Sequence, residues 1–95
     1  MNFLKSLPLR RRRALRSARV LDEVVDAQLA LLPELPDDLR ERAADRLAEL
    51  VGLSQAYRHF SQGWITRREL ETRGRAALRR LEGDPLHPDG ATHRI

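Results

Sequence analysis

Gly63-Trp64-Ile65-Thr66-Arg67-Arg68-Glu69-Leu70 decides how this chain folds. Gly63 is suited to the left-handed residue that closes a helix. Three residues later Thr66 and Glu69 have the spacing of a reciprocal capping box, in which each side chain takes the other residue's free backbone amide. A stop and a start this close leave room only for a tight turn, so the helices on either side must fold back as a hairpin. Downstream, the pattern predicts a helix over 66–82 with Leu70, Ala77, Leu78 and Leu81 inward, Gly83 as its stop, and Glu69–Arg73 and Glu71–Arg75 as i,i+4 pairs. Upstream it predicts a helix over 38–61, with Leu39, Ala43, Leu47, Leu50, Val51, Ser54 and Tyr57 on one side. Asp37 or Asp38 is the expected cap, Asp38 with Glu41 matching a capping box, and Gly52 is a mild interruption.

Before this hairpin stands Leu32-Pro33-Glu34-Leu35-Pro36. Proline lacks a backbone donor and disfavours the α conformation of the residue before it, so this segment is a break. Residues 8–32 ahead of it read as a first helix, with Pro8 tolerated in the first turn and Ala14, Ala18, Leu21, Val25, Leu29 and Leu32 recurring at steps of three and four. Val20, Val24, Ala27 and Leu31 widen that face, which predicts burial of the C-terminal half against more than one neighbour. The segment before Ala14 is nearly all charge and is expected to project as a basic arm. The fold class is therefore all-α with three helices: a hairpin over 38–82, a long basic-to-apolar first helix, one small domain over 1–83, and a disordered tail at 84–95 with two prolines and no periodicity.

The stretch from Leu53 to Leu81 resembles the SHOCT-type short helical hairpin. The matching positions are Gly63, Ile65, Thr66, Glu69, Leu70, Arg73 and Leu78. Leu70 stands where that family usually has phenylalanine, and Gly74 where it has a good helix former. The likeness covers about a third of the chain, and its motif is largely the grammar of any tight helical hairpin. What it implies is an oligomerisation or interaction module, with no catalytic residue.

Composition narrows the function. At 95 residues the chain holds one thin-cored domain, and 41% apolar content with four aromatics (Phe3, Tyr57, Phe60 and Trp64) suits helices better than a β-sandwich. Without cysteine there is no disulfide framework or thiolate site, which fits a reducing, cytoplasmic setting. No apolar run approaches the length of a membrane span. The order of apolar and basic residues at the start is wrong for a secretory signal; its acid-free, arginine-rich character is also that of an organellar transit peptide, but the helical pattern runs on unbroken. The formal charge of +4 conceals a separation. Residues 1–19 hold Lys5, Arg10, Arg11, Arg12, Arg13, Arg16 and Arg19 and no acid, whereas residues 20–62 hold nine acids against four arginines. Such a layout suits docking on an anionic partner, or head-to-tail pairing with a second copy.

Arg10, Arg11, Arg12, Arg13, Arg16 and Arg19 are accordingly the candidate anion-binding residues, because guanidinium groups stay charged and present a planar fork of donors to phosphate. Arg12, Arg16 and Arg19 share one face. Nucleic acid is the leading target and an anionic membrane surface the second, the latter drawing on Met1, Phe3, Leu4, Leu7 and Leu9; a solvated helix end is the plain alternative. Leu21, Val24, Val25, Leu29, Leu32, Tyr57, Phe60 and Trp64 are the candidate protein-interface residues. The three aromatics among them are expected to gather at the hairpin tip, either as its core plug or as stacking surfaces for bases. Nothing points to a small-molecule substrate, a cofactor or a metal site. His59 stands apart from other ligands, and His87, Asp89 and His93 lie in the tail. Ser54 and Ser61 bracket His59 without an oxyanion loop or orienting acid, so no hydrolytic site is expected. The expected function is a non-enzymatic adaptor or assembly subunit, with a membrane-associated interaction protein or a simple oligomerisation module as alternatives.

Overall fold

A computed structural model of the chain describes residues 8–83. Helix α1 spans Leu9–Leu29, a 3₁₀ turn covers Leu32–Glu34, α2 spans Asp37–Ser61 and α3 spans Arg67–Glu82. The architecture is all-α, as expected, with no strand among the described residues. The expected disorder of 84–95 and the apolar residues of 1–7 lie outside the described residues.

Helix α2 is the centre. It packs against α1 on one side and α3 on another, whereas α1 and α3 meet only sparsely. Both neighbours run antiparallel to it. Along α1, Arg11 lies against Gly63, Asp22 bonds to Ser54 and Arg58, and Val25 packs with Leu47 and Leu50. Along α3, Leu70 and Phe60 border one groove and Arg80 bonds to Glu49. The predicted hairpin of α2 and α3 is therefore present, with α1 laid against its other flank.

The turn between α2 and α3 is built as its sequence dictates. Gly63 takes φ 79°, where a Cβ is disfavoured, and its amide donates to Phe60 O at 3.0 Å while the Trp64 amide donates to His59 O at 2.8 Å. That pair of bonds is the Schellman closure. Two residues on, the Glu69 amide donates to Thr66 Oγ1 at 3.1 Å and the Thr66 amide to Glu69 Oε1 at 3.2 Å, completing the capping box.

At the proline-rich break the chain departs from expectation in two ways. Helix α1 ends at Leu29, three residues early: the Leu31 amide reaches back only to Gln28 O, and the tighter winding continues through Leu32–Glu34. Pro33 is the cause, since it keeps Leu32 from continuing an α-helix. Helix α2 starts from Pro36 with no side-chain cap, so the Asp38–Glu41 box does not form. Asp37 and Asp38 instead sit in the first turn, where carboxylates offset the positive helix end, and Asp37 pairs with Arg40 at 3.1 Å. Arg40 also donates to Leu32 O at 3.2 Å and Leu35 O at 2.8 Å, tying the break to α2.

The core is thin. Val25, Leu47 and Leu50 form its cluster, flanked by the half-buried Leu21, Leu32 and Leu81. Elsewhere burial falls on small residues, Ala14, Ala18, Ser54, Ala56, Ser61 and Ala77, and no large side chain among the described residues is fully buried. The expected projection of the basic end and burial of the apolar end are thus reversed in part. Ala18 has no exposed surface, while Val20 (54% exposed) and Leu31 (56%), with Val24 and Leu29, face outward. Small residues let the two backbones approach near the tip, and the single neighbour α2 covers only one strip of α1. Val51 on α2 and Leu78 on α3, both expected inward, are exposed as well, because they lie on sides of their helices that no neighbour covers. The pairs Glu69–Arg73 and Glu71–Arg75 do not form; Glu69 is engaged by the cap, and Glu71 accepts from Arg67 at 3.2 Å.

Candidate nucleic-acid interface

The arginine run of α1 begins at the end of the molecule where the start of α1, the end of α2 and the start of α3 meet; Arg40, Arg42, Arg46, Arg79 and Arg80 lie toward the other end. Of the six arginines on α1, Arg10, Arg13, Arg16 and Arg19 are exposed, while Arg11 and Arg12 are half-buried. Arg12, Arg16 and Arg19, at steps of four and three along α1, lie on one side of the helix, with Arg12 half-buried and the other two exposed. Steps of three residues shift the direction by about 60° each, so the exposed four wind about halfway round α1, starting beside the groove that Arg10 and Arg13 border. Over nine residues they cover about 13 Å of helix. None of the six forms an ion pair among the described residues. Arg67 and Arg68, exposed in the first turn of α3, extend the basic surface at the same end.

Two of the arginines are committed differently. The Arg11 guanidinium lies against Gly63, where a Cβ would come within 3.1 Å of its nitrogens. It therefore covers the turn rather than projecting. Arg58 on α2 is bonded to Asp22, whose other carboxylate oxygen accepts from Ser54 Oγ at 2.6 Å.

The aromatic residues do not form one cluster. Tyr57 and Phe60 are half-buried and form the floor of a groove of about 300 Å³, bordered by Arg10, Arg13, Ala14 and Ser17 on α1 and by Arg67, Leu70 and Glu71 on α3. Trp64 is absent from that lining. It stands 69% exposed on the turn, its ring tilted 38° against that of His59 with centroids 5.3 Å apart. The remaining interface candidates divide likewise. Leu21, Val25 and Leu32 serve the internal cluster, and Val24 and Leu29 are outward.

Sequence reading missed the Asp22–Ser54–Arg58 link altogether; a polar residue on the inward face of α2 opposite an acid on the inward edge of α1 was the available signal. The hydroxyls near His59 have structural duties, Ser54 toward Asp22 and Ser61 toward Arg58 O at 2.7 Å. Among the described residues there is no group of three metal-ligating side chains, and no helix is long and apolar enough to cross a membrane. No family profile, curated protein or solved structure matches the chain.

Proposed function

We propose that this protein is a non-enzymatic adaptor or assembly subunit whose basic end docks on an anionic macromolecule, with nucleic acid as the favoured target. The observation that carries the reading is the exposed series Arg10, Arg13, Arg16 and Arg19 on one rigid helix, unpaired among the described residues and joined at its end by Arg67 and Arg68. Guanidinium groups held on a helix meet phosphates without first breaking an internal ion pair, which leaves the full counterion-release gain to binding. The outward Val20, Val24 and Leu31 supply the second half of the reading, an apolar stripe for a protein subunit. A SHOCT-like role for the hairpin belongs to the same proposal, since self-association would display several basic ends at once. A strict monomer by light scattering at high concentration argues against that part.

The test is binding of a labelled nucleic acid across a salt series, with the intact chain and with Arg10, Arg13, Arg16 and Arg19 changed to alanine. The expected result is affinity that falls steeply with salt, with a shallower slope in the variant. Absent or salt-independent binding overturns the nucleic-acid reading and redirects the search to anionic vesicles and acidic proteins.

A further inference from the structure

We propose that the nucleic acid taken by the basic end is single-stranded, and that Trp64 is the residue that selects it by stacking an unpaired base on its open face. This rests on the nucleic-acid reading above and names the form of the ligand.

The turn determines how the indole is presented. A tryptophan carries enough apolar surface that a fold able to bury it gains by doing so. Here it is presented instead. Gly63 in its left-handed conformation and the Trp64 amide bonded to His59 O fix the backbone on both sides of the Cα, and the His59 ring supports the indole from one side. With 69% of the residue open, the indole is accessible, on a backbone fixed by the turn and with the His59 ring beside it. A stacking platform needs that combination, because ordering a mobile ring would cost entropy on binding.

Charge settles what stacks there. Arg68 follows four residues later, exposed and without an ion pair among the described residues in the first turn of α3; Arg67 beside it is bonded to Glu71, Glu69 is engaged by the cap, and the half-buried Arg11 guanidinium lies on Gly63, next to the indole in sequence. No acid lies between Arg58 and Arg68 in the sequence. An aromatic face flanked by guanidiniums is the arrangement that binds single strands without sequence preference: the ring takes a base, and the cations take the phosphates on either side. A duplex offers the same phosphates but keeps its base faces stacked inside, out of reach of a side chain standing on a turn. Tyr57 and Phe60, set in the groove floor, do not share this role.

The chain has one tryptophan, so its intrinsic fluorescence reports this site alone. The experiment titrates the full chain, Trp64→Ala and Trp64→Phe with a 12-nucleotide single strand and a 12-base-pair duplex, following tryptophan fluorescence in the parent chain and anisotropy of a label on the nucleic acid in all three. The expected results are quenching of Trp64 by the single strand, a loss of roughly 5- to 150-fold in single-strand affinity for Trp64→Ala, near-full retention for Trp64→Phe, and duplex affinity equal in all three. Salt-dependent binding that is unchanged in Trp64→Ala, or that weakens equally for both nucleic acids, overturns the single-strand inference and leaves the arginine reading standing. No binding of either nucleic acid at low salt overturns both. Circular dichroism establishes that the variants are folded, as expected for a side chain this exposed.

Discussion

Ser54, near the middle of α2, donates its hydroxyl proton to the Asp22 carboxylate on α1 across 2.6 Å, and Ser54 is almost wholly buried. The Ala18 carbonyl lies 3.2 Å from the same oxygen. One hydroxyl carries one proton, so the shorter bond to the charged acceptor takes it and the carbonyl shares it weakly. This is the polar contact that fixes how far α1 slides along α2. Replacing Ser54 with alanine is expected to cost about 1–2 kcal/mol, or a melting temperature lower by roughly 4–15 °C for a domain this small. A thermal melt unchanged within 2 °C would show that the small-residue packing alone sets the register.

The same carboxylate gives the fold a pH signature. The Ser54 hydroxyl first, and then the Arg58 guanidinium, hold Asp22 below its ordinary value, against a smaller opposing effect of burial. A carboxyl with a lower pKa folded than unfolded binds fewer protons in the folded state. Its contribution is complete above the ordinary carboxylate range and is lost as pH falls through the folded-state value. Asp22→Asn should therefore be less stable than the parent at pH 7, with the gap constant down to about pH 5 and closing below about pH 4. Urea midpoints measured from pH 7 to pH 2.5 check this, and a gap that stays constant into acid would place the contribution elsewhere.

At the hairpin turn, Gly63→Ala puts a Cβ at φ 79° and 3.1 Å from the Arg11 guanidinium. The guanidinium is the end of a flexible chain and can shift, so the backbone conformation dominates at about 1–2 kcal/mol. Pairing this variant with Arg11→Ala separates the two causes. Relief of less than about 0.5 kcal/mol in the double variant assigns the cost to the backbone. Thr66→Ala, which removes one half of the capping box, is expected to cost about 1 kcal/mol.

Two glycines behave oppositely. Gly52 and Gly74 lie within α2 and α3, have no atom within 4 Å of where a Cβ would stand, and do not take positive φ. Alanine at either position should stabilise the fold by about 0.5–1 kcal/mol by raising helix propensity. Higher urea midpoints in both variants are the expected outcome. A loss at Gly74 would show that α3 approaches another surface there.

Legibility in the sequence followed the range of the forces involved. Gly63, Thr66 and Glu69 act on backbone groups a few residues away, and the structure places all three as their spacing predicts. Pro33 acts equally locally and ended α1 where a periodicity count ran on to Leu32. Which apolar residues face inward is a different kind of question, because it depends on how many neighbours a helix has. The count Val20, Val24, Ala27 and Leu31 implied several neighbours for α1; with α2 its main neighbour, these side chains stay outside. Pattern along one helix gives the width of its apolar face, not the number of helices available to cover it. The candidate arginines were visible as a run, but the division into exposed Arg10, Arg13, Arg16 and Arg19 and half-buried Arg11 and Arg12 needed the position of α2. Trp64 and its aromatic neighbours looked like one cluster in sequence because the turn between them reverses the chain direction, which no spacing rule resolves.

That α2 alone touches both of its neighbours has a consequence for how the molecule opens. Two helices that barely meet have little energy to share, so α1 and α3 can each leave the centre without the other following. Native-state hydrogen exchange should then show three tiers: slowest for amides in the middle of α2, around Leu47 to Ser54, and two separate faster groups in α1 and α3. Gly74→Ala would slow the α3 group and leave α1 untouched. A partner seated against either outer helix would leave its mark in the same way, as protection gained on one side of the molecule only.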